Sequence, residues 1–254
     1  MKILASTLLH ISPAAGSAGS GCRALSLLFL PVLFLADVST AQQDATQEAR
    51  ILEVWSKHEA NPLDHDGVIS ACRTFEAVAP RDPFIGVCRG IVAWRYLKAG
   101  RMEDARNTLN VMASQSVGIL GSFEKNMGLR WLTRLDREDV KRSLKRVYAK
   151  KVGFPESLAE INTLPEAERA PLADRWGVPW TYSLVPMTRL KVYDQKYKLQ
   201  SGKLGKDSDL AETLAKPYGE GIKLKPVSSS GAVGVEFEAP GEKKTVSLIP
   251  GRSA

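Results

Sequence analysis

Apolar residues recur at helical spacing from Gln47 to Met112, interrupted by turn-forming residues around Asn61-Pro62-Leu63-Asp64-His65-Asp66, at Ala79-Pro80-Arg81-Asp82-Pro83 and at Gly100. The pattern predicts a run of helical hairpins. A further helix is expected from about Phe123 to Leu135, bridging to a second one that opens at Asp136 as N-cap with Asp139 in the capping-box position. Val140, Leu144, Val147 and Tyr148 form the apolar stripe of that second helix, and Lys141, Arg142, Lys145, Arg146 and Lys150 lie mostly off it as a basic face.

Beyond the helices the pattern changes to strands. In Asp174-Arg175-Trp176-Gly177-Val178-Pro179-Trp180-Thr181-Tyr182, Gly177 supplies the positive φ of a tight corner. Pro179 fixes its own φ and drives Val178 toward extended geometry, so the chain leaves as a strand with Trp180, Tyr182 and Leu184 on one face. Tyr197–Ser201 reads as a second strand. Gly234–Glu238 and Thr245–Ile249 alternate around Pro240-Gly241 and are expected to extend the same sheet, with Val227–Gly231 as a mobile loop. The expected class is α+β: a helical part followed by a helix and a small antiparallel sheet.

The helical part fits a 34-residue frame. With Gly86 as first position, Ala93, Tyr96, Gly100, Ala105 and Leu109 fall where a tetratricopeptide-like unit places small, aromatic, turn, small and bulky residues. One period earlier, Trp55, Ala71, Phe75 and Pro83 take matching places. This resembles a tetratricopeptide-type repeat. A generic pair of helical hairpins accounts for the same pattern, because the segment around Asn61–Asp66 breaks the first unit.

The second half resembles the periplasmic part of the major pseudopilins of type II secretion systems. The residues that carry the resemblance are the helix end Leu144–Pro155 with its Tyr148, Gly153 and Phe154-Pro155 exit, then Ser157-Leu158 and Leu164-Pro165. The Asp174–Pro179 corner, the strand Tyr197–Ser201 and the acidic loop Gly205-Lys206-Asp207-Ser208-Asp209 follow in order. The resemblance implies a helix packed on an antiparallel sheet, and a structural calcium held by Ser201, Asp207 and Asp209 with help from carbonyls and water. The residues themselves offer another reading, in which Asp209-Leu210-Ala211-Glu212 is the capping box of a short helix ending before Pro217. The pilin leader and its long apolar polymerising helix have no counterpart here.

Instead, the apolar stretch Ala24–Ala36 contains Pro31, follows the basic Lys2 and Arg23, and ends near Ser39 and Ala41 at the spacing of a secretory cleavage site. Residues 1–41 are therefore expected to be a signal peptide, leaving roughly 210 residues without a stable transmembrane span. With 44% hydrophobic and 25% charged residues the rest is of ordinary globular composition. The formal charge of +7 and pI near 9.3 would suggest nucleic acid in a cytosolic protein. In an exported chain that lacks an aromatic-interleaved basic motif, acidic protein surfaces or anionic envelope polymers fit better, and nucleic acid is not expected. Cys72 and Cys88 flank the turn at Ala79–Pro83 at comparable distances on antiparallel helices, so a disulfide is expected in an oxidising compartment.

His58 and Asp64-His65-Asp66 form a histidine and carboxylate cluster, but turn chemistry at Asn61-Pro62 and Asp66-Gly67 explains them without a metal. No nucleophile elbow or phosphate loop is present, and the chain reads as non-enzymatic. The expected partition is signal peptide 1–41, helical domain 42–117, connecting helix 118–135 and pseudopilin-like domain 136–254. The function expected is that of an exported protein-interaction protein, periplasmic or extracellular, with a narrower link to a type II secretion or pilus-type system resting on resemblance alone. A carbohydrate- or peptide-binding module using aromatics near Trp180 is the alternative.

Overall fold

The first helix shows how burial sorts this chain: along residues 51–60 (α1), Ile51, Val54, Trp55 and His58 are buried at i, i+3, i+4 and i+7, while Glu53, Lys57 and Glu59 face outward. The computed structural model describes residues 51–114, 120–185, 195–204, 210–215, 223–229, 232–239 and 242–243. After α1 come α2 (His65–Val78), α3 (Ile85–Lys98), α4 (Met102–Ser114) and α5 (Gly121–Lys151). Asp64 caps α2, its side chain accepting the Gly67 N–H at 2.9 Å, and Gly100 turns α3 into α4 at φ +75°. α3 is buried almost all round because it packs on α2, α4 and α5 and meets α1 through Trp94 and Arg95.

Arg95 fixes the end of α1. It is fully buried; its guanidinium donates to the carbonyls of His58 (2.7 Å), Asn61 (2.9 Å) and Pro62 (2.8 Å) and to His58 Nδ1 (3.2 Å), with no carboxylate hydrogen-bond partner among the described residues. A cation at the negative end of a helix, saturating carbonyls that have no intrahelical donor, satisfies both groups at once. The Trp94 ring lies 5.4 Å from the Arg95 guanidinium carbon, and Trp55 and Trp94 each pack on the His58 ring at 5.5 Å.

α5 is one unbroken helix of 31 residues. Its first half, with Met127, Trp131, Leu132 and Leu135, completes the helical core. Gly128 lets α4 approach closely, since a Cβ there would stand 2.8 Å from the Ala113 nitrogen. The second half belongs to another core, in which Val140, Leu144 and Val147 meet Leu158, Ile161, Leu164, Ala170 and Trp180. The expected helix start at Asp136 is therefore corrected. Asp136 lies inside α5, its carboxylate held by arginines from elsewhere instead of capping local amides, and the helix runs without a break across the expected boundary at 135/136. At the other end of α5, Val152 takes the left-handed conformation (φ 56°) and closes the helix, its N–H donating to the Tyr148 carbonyl.

Past α5, a 3-10 helix (Leu158–Thr163) starts with a capping box of Ser157 and Glu160. β1 (Thr181–Val185) and β2 (Lys196–Gln200) pair antiparallel, Thr181 opposite Gln200 and Val185 opposite Lys196. A lone two-stranded ribbon is marginal in water. This one is held by stacked rings, Tyr148 on Phe154 and Phe154 on Tyr197, each at 4.7 Å, with Tyr182 beyond. The Tyr182 hydroxyl donates to the Pro155 carbonyl at 2.7 Å, and burial, with smaller contributions from Tyr197 and Glu160, pushes its pKa up to about 12.

A short α6 (Leu210–Ala215) and a second sheet of order β3-β4-β5 (Lys223–Ser229, Ala232–Ala239, Glu242–Lys243) follow. Two expectations change here. The C-terminal strands do not extend the β1-β2 sheet; they form their own, and Leu224 of β3 is buried in the helical core. Of the segment expected as a mobile loop, residues 227–229 are strand, with Ser229 paired to Ala232, and Pro226 is tolerated because β3 is an edge of the described sheet. The expected strand Thr245–Ile249 and residues 1–50 lie outside the described residues. The protein is thus an α+β molecule, mostly helical, and no helix among the described residues is long and apolar enough to cross a membrane.

Burial, and then the Arg95 charge, lowers the pKa of His58 from 6.5 to about 4. The unfolded chain therefore binds a proton that the folded chain refuses between pH 6.5 and 4. Stability contributed by neutral His58 is complete above pH 6.5 and is lost as pH falls through that window, by at most roughly 3 kcal/mol. In urea titrations, His58→Asn, which keeps an acceptor for Arg95 but cannot titrate, is expected to flatten this slope relative to the native chain; an unchanged slope would show that His58 is not its source.

Candidate functional site

The Gly–Pro corner is organised by one carboxylate. Asp174 is buried; its Oδ1 accepts the N–H groups of Trp176 and Val178, each at 3.0 Å, and its backbone N–H donates to the Val178 carbonyl at 2.8 Å. Gly177 supplies the expected positive φ, 78°. The second carboxylate oxygen accepts the Ser201 hydroxyl at 2.6 Å, and the Ser201 oxygen in turn accepts the N–H groups of Lys203 and Leu204, each at 3.2 Å. The corner is tied in this way to the turn leaving β2.

Arg175, the next residue, joins the corner to α5. Its backbone N–H donates to the Thr133 hydroxyl at 3.3 Å and its guanidinium grips the Asp136 carboxylate from two sides, Nε to Oδ2 at 2.5 Å and Nη2 to Oδ1 at 2.9 Å. Arg106 of α4 reaches the same carboxylate at 3.2 Å and Asp139 at 2.6 Å. Asp136 is almost completely buried, whereas Arg175 is partly exposed, so the cluster forms the floor of an open hollow of about 720 Å³ where α4, α5 and the corner meet. Opposite charges are matched here. The chemistry the cluster performs is docking: a paired buried carboxylate holds two helices and a turn in one geometry.

The expected site residues separate. Ser201 is buried, with its oxygen engaged by Asp174 and two amides; Asp207 and Asp209 lie outside the described residues. Among the described residues no group of three or more His, Cys, Asp or Glu side chains is arranged to hold a metal ion. Trp180 is buried and its indole N–H donates to the Pro171 carbonyl at 2.9 Å, so this ring, like Tyr182, has its polar tip bound within the fold. Trp176 is half-buried.

On the basic face of α5, Lys141 pairs with Glu138 at 2.7 Å, Arg142 with Asp139, and Arg146 donates to the Glu168 carbonyl at 3.4 Å. Lys145 and Lys150 are exposed, without an ion-pair partner among the described residues. Cys72 and Cys88 are buried free thiols. Burial, followed by a hydrogen bond to Cys72, raises the Cys88 pKa well above its ordinary value, so the two thiols are neighbours. His58 and Asp64 serve the Arg95 clamp and the α2 cap, and Asp66 makes a surface pair with Arg101 at 3.3 Å.

Sequence reasoning missed Arg106, Asp136 as an ion-pair centre, and Arg175. Asp136 lies 30 residues from Arg106 and 39 from Arg175, beyond any local spacing rule. Asp174 did carry a signal, because an Asp followed by Gly and Pro at a corner is a typical acceptor for the amides that come after it. Searches of protein-family models, curated proteins and solved structures found nothing that matches this chain.

Removing the Asp136 charge leaves two arginines around a neutral amide. Asp136→Asn is expected to lower the free energy of unfolding by roughly 2–4 kcal/mol, towards the low end because Arg175 is partly solvated. Arg175→Met is expected to cost less, since Arg106 still pairs with the carboxylate. Equal midpoints for the native chain and Asp136→Asn in urea unfolding would remove this cluster from the account of stability.

Proposed function

We propose that this chain is an exported, non-enzymatic protein-interaction protein of the cell envelope, pairing a tetratricopeptide-like helical part with a pseudopilin-like helix and sheet. The observation that carries the reading is the cationic stripe of α5. Lys145 and Lys150 stand exposed on the side away from Val140, Leu144 and Val147, next to Arg142 and Arg146, on a helix that both cores hold rigid. A rigid, solvated basic stripe suits an acidic protein surface, by steering its approach and fixing its orientation. Burial at the repeat positions Trp55, Phe75, Ala93, Tyr96, Ala105 and Leu109 supports the helical half of the reading. The narrower role, beside a type II secretion or pilus-type machine, rests on the ordered resemblance of residues 136–218.

The test is crosslinking in cells followed by recovery of the tagged mature protein and identification of what it holds. Reproducible recovery of secretion or pilus components is expected, with Lys145→Glu and Lys150→Glu together reducing it severalfold. Recovery that charge reversal leaves unchanged would move the interaction off α5.

Export also bears on the cysteines. In an oxidising compartment, a disulfide-donor oxidant would bridge Cys72 of α2 to Cys88 of α3 during folding, before burial withholds the thiolate: one thiolate attacks the donor disulfide, the other then displaces the donor from the mixed disulfide, and the donor leaves as its dithiol. Such a link would stabilise the hairpin by about 2–4 kcal/mol. Mature protein taken unreduced from its envelope and denatured is expected to show no free thiol; two free thiols would exclude the bridge.

A further inference from the structure

α2 and α4 both pack on α3 and leave a hollow of about 240 Å³ between them. Arg73 and Glu76 of α2, Val92 of α3, and Asn107, Thr108 and Val111 of α4 line it. Ligands of drug or cofactor size take roughly 300–1,000 Å³, so this hollow suits a smaller one, about the size of a single amino acid.

The charges around it are only partly committed. Arg89 of α3, which also lines the hollow, is held by two carboxylates, Glu76 at 2.7 Å and Glu124 at 2.9 Å. Both of its bonds to Glu76 go to Oε1, and the second oxygen of Glu76 accepts nothing among the described residues. Arg73 stands one turn before Glu76 on α2 without pairing with it; among the described residues its guanidinium makes one hydrogen bond, from Nη2 to the Tyr96 hydroxyl at 3.2 Å. That bond to a buried ring fixes the Arg73 head and leaves its charge uncompensated. Within one helical turn the hollow thus presents a cation with spare donors and a carboxylate with a spare oxygen. A plain anion would meet Glu76 and a plain cation would meet Arg73, whereas a zwitterion satisfies both.

We propose that this hollow binds a free α-amino acid with an aliphatic side chain. The ligand carboxylate takes the spare Arg73 donors, the ammonium donates to Glu76 Oε2, and the side chain lies on Val92 and Val111. Val92 is buried and Val111 is 37% exposed, so an aliphatic group seated there removes apolar surface from water. Asn107 and Thr108 supply the polar rim. The Thr108 hydroxyl gives its proton to the Asp104 carbonyl at 2.9 Å, which leaves its oxygen as an acceptor for the ammonium. This activity goes beyond the protein-interaction reading and does not depend on it.

The test is calorimetric titration of the full chain with L-leucine, with L-leucinamide, which lacks the carboxylate, and with 4-methylpentanoate, which lacks the ammonium. L-Leucine is expected to bind saturably at one site, and each truncated probe about ten-fold more weakly or worse, because one charge-assisted contact is lost. Arg73 is exposed, so Arg73→Gln leaves the packing intact; it is expected to weaken L-leucine about ten-fold or more with the melting temperature unchanged. No saturable binding at millimolar L-leucine, equal binding of the three probes, or native affinity in the variant would overturn the proposal. Tighter binding of L-aspartate than of L-leucine would overturn the aliphatic assignment.

Amide chemical shifts of the native chain cover a variant that fails to fold. Changes on adding L-leucine that centre on residues 73–76 and 107–111 would support the site, and changes elsewhere would overturn it. The titration needs no envelope partner, so it can fail while the crosslinking experiment succeeds, and the reverse.

Discussion

A single carboxylate, Asp136, stands where the two cores of this molecule meet. α5 serves the helical core with its first half and the helix-and-sheet core with its second, and a helix shared in this way needs a fixed rotation about its axis at the crossover. Asp136 supplies it, because Arg106 approaches from α4 and Arg175 from the Gly–Pro corner, and all three must keep their places for the charge to stay compensated. A buried charge without its partner costs several kcal/mol, whereas a looser apolar contact would tolerate a slip of the helix. The neighbouring Thr133 hydroxyl, taking the Arg175 N–H, adds a second point of registration.

Similar economy governs the helical half. Arg95 is a buried cation that donates to carbonyls and one imidazole, and in this role it terminates α1, orients the residues leading to α2, and adds to the burial that keeps His58 neutral. The ion pairs of Arg89 with Glu76 (2.7 Å) and Glu124 (2.9 Å) connect α2, α3 and α5 in the same fashion. Burial raises the pKa of Glu124, and the Arg89 guanidinium opposes it. Polar groups inside this protein are thus arranged between elements. The apolar residues supply the driving force, and the charged ones select a single arrangement from those the apolar pattern would permit.

These internal arrangements shape the functional reading. Trp180 and Tyr182, which a stacking site there would use, have their polar tips bound to backbone carbonyls, and the Asp136 cluster balances its own charges. The surface proposed for interaction is the cationic stripe of α5, on a helix held by both cores. Rigid elements present a binding surface with less ordering cost than loops do, so an interaction protein is served by placing its contacts there.

Local chemistry made much of this chain legible. The breaks at Asn61–Asp64, Ala79–Pro83 and Gly100, the apolar stripe Val140, Leu144, Val147, the turn at Gly177-Val178-Pro179 and the first two strands follow from propensity, periodicity and the stereochemistry of Gly and Pro, each decided within a few residues. Asp136 was misread for the same reason: its sequence neighbourhood fits a cap, and the arginines that overrule it come from 30 and 39 residues away. The separation of the second sheet from β1 and β2, and the burial of Leu224 among helices, likewise depend on which apolar surface lies nearest once the chain is folded. Sequence by itself determined where the helices, turns and first strands form, because those choices are made by each residue and its near neighbours. Only the tertiary structure decided which charges meet and which core each strand joins, because burial and Coulomb energy depend on distances in space that spacing along the chain does not encode.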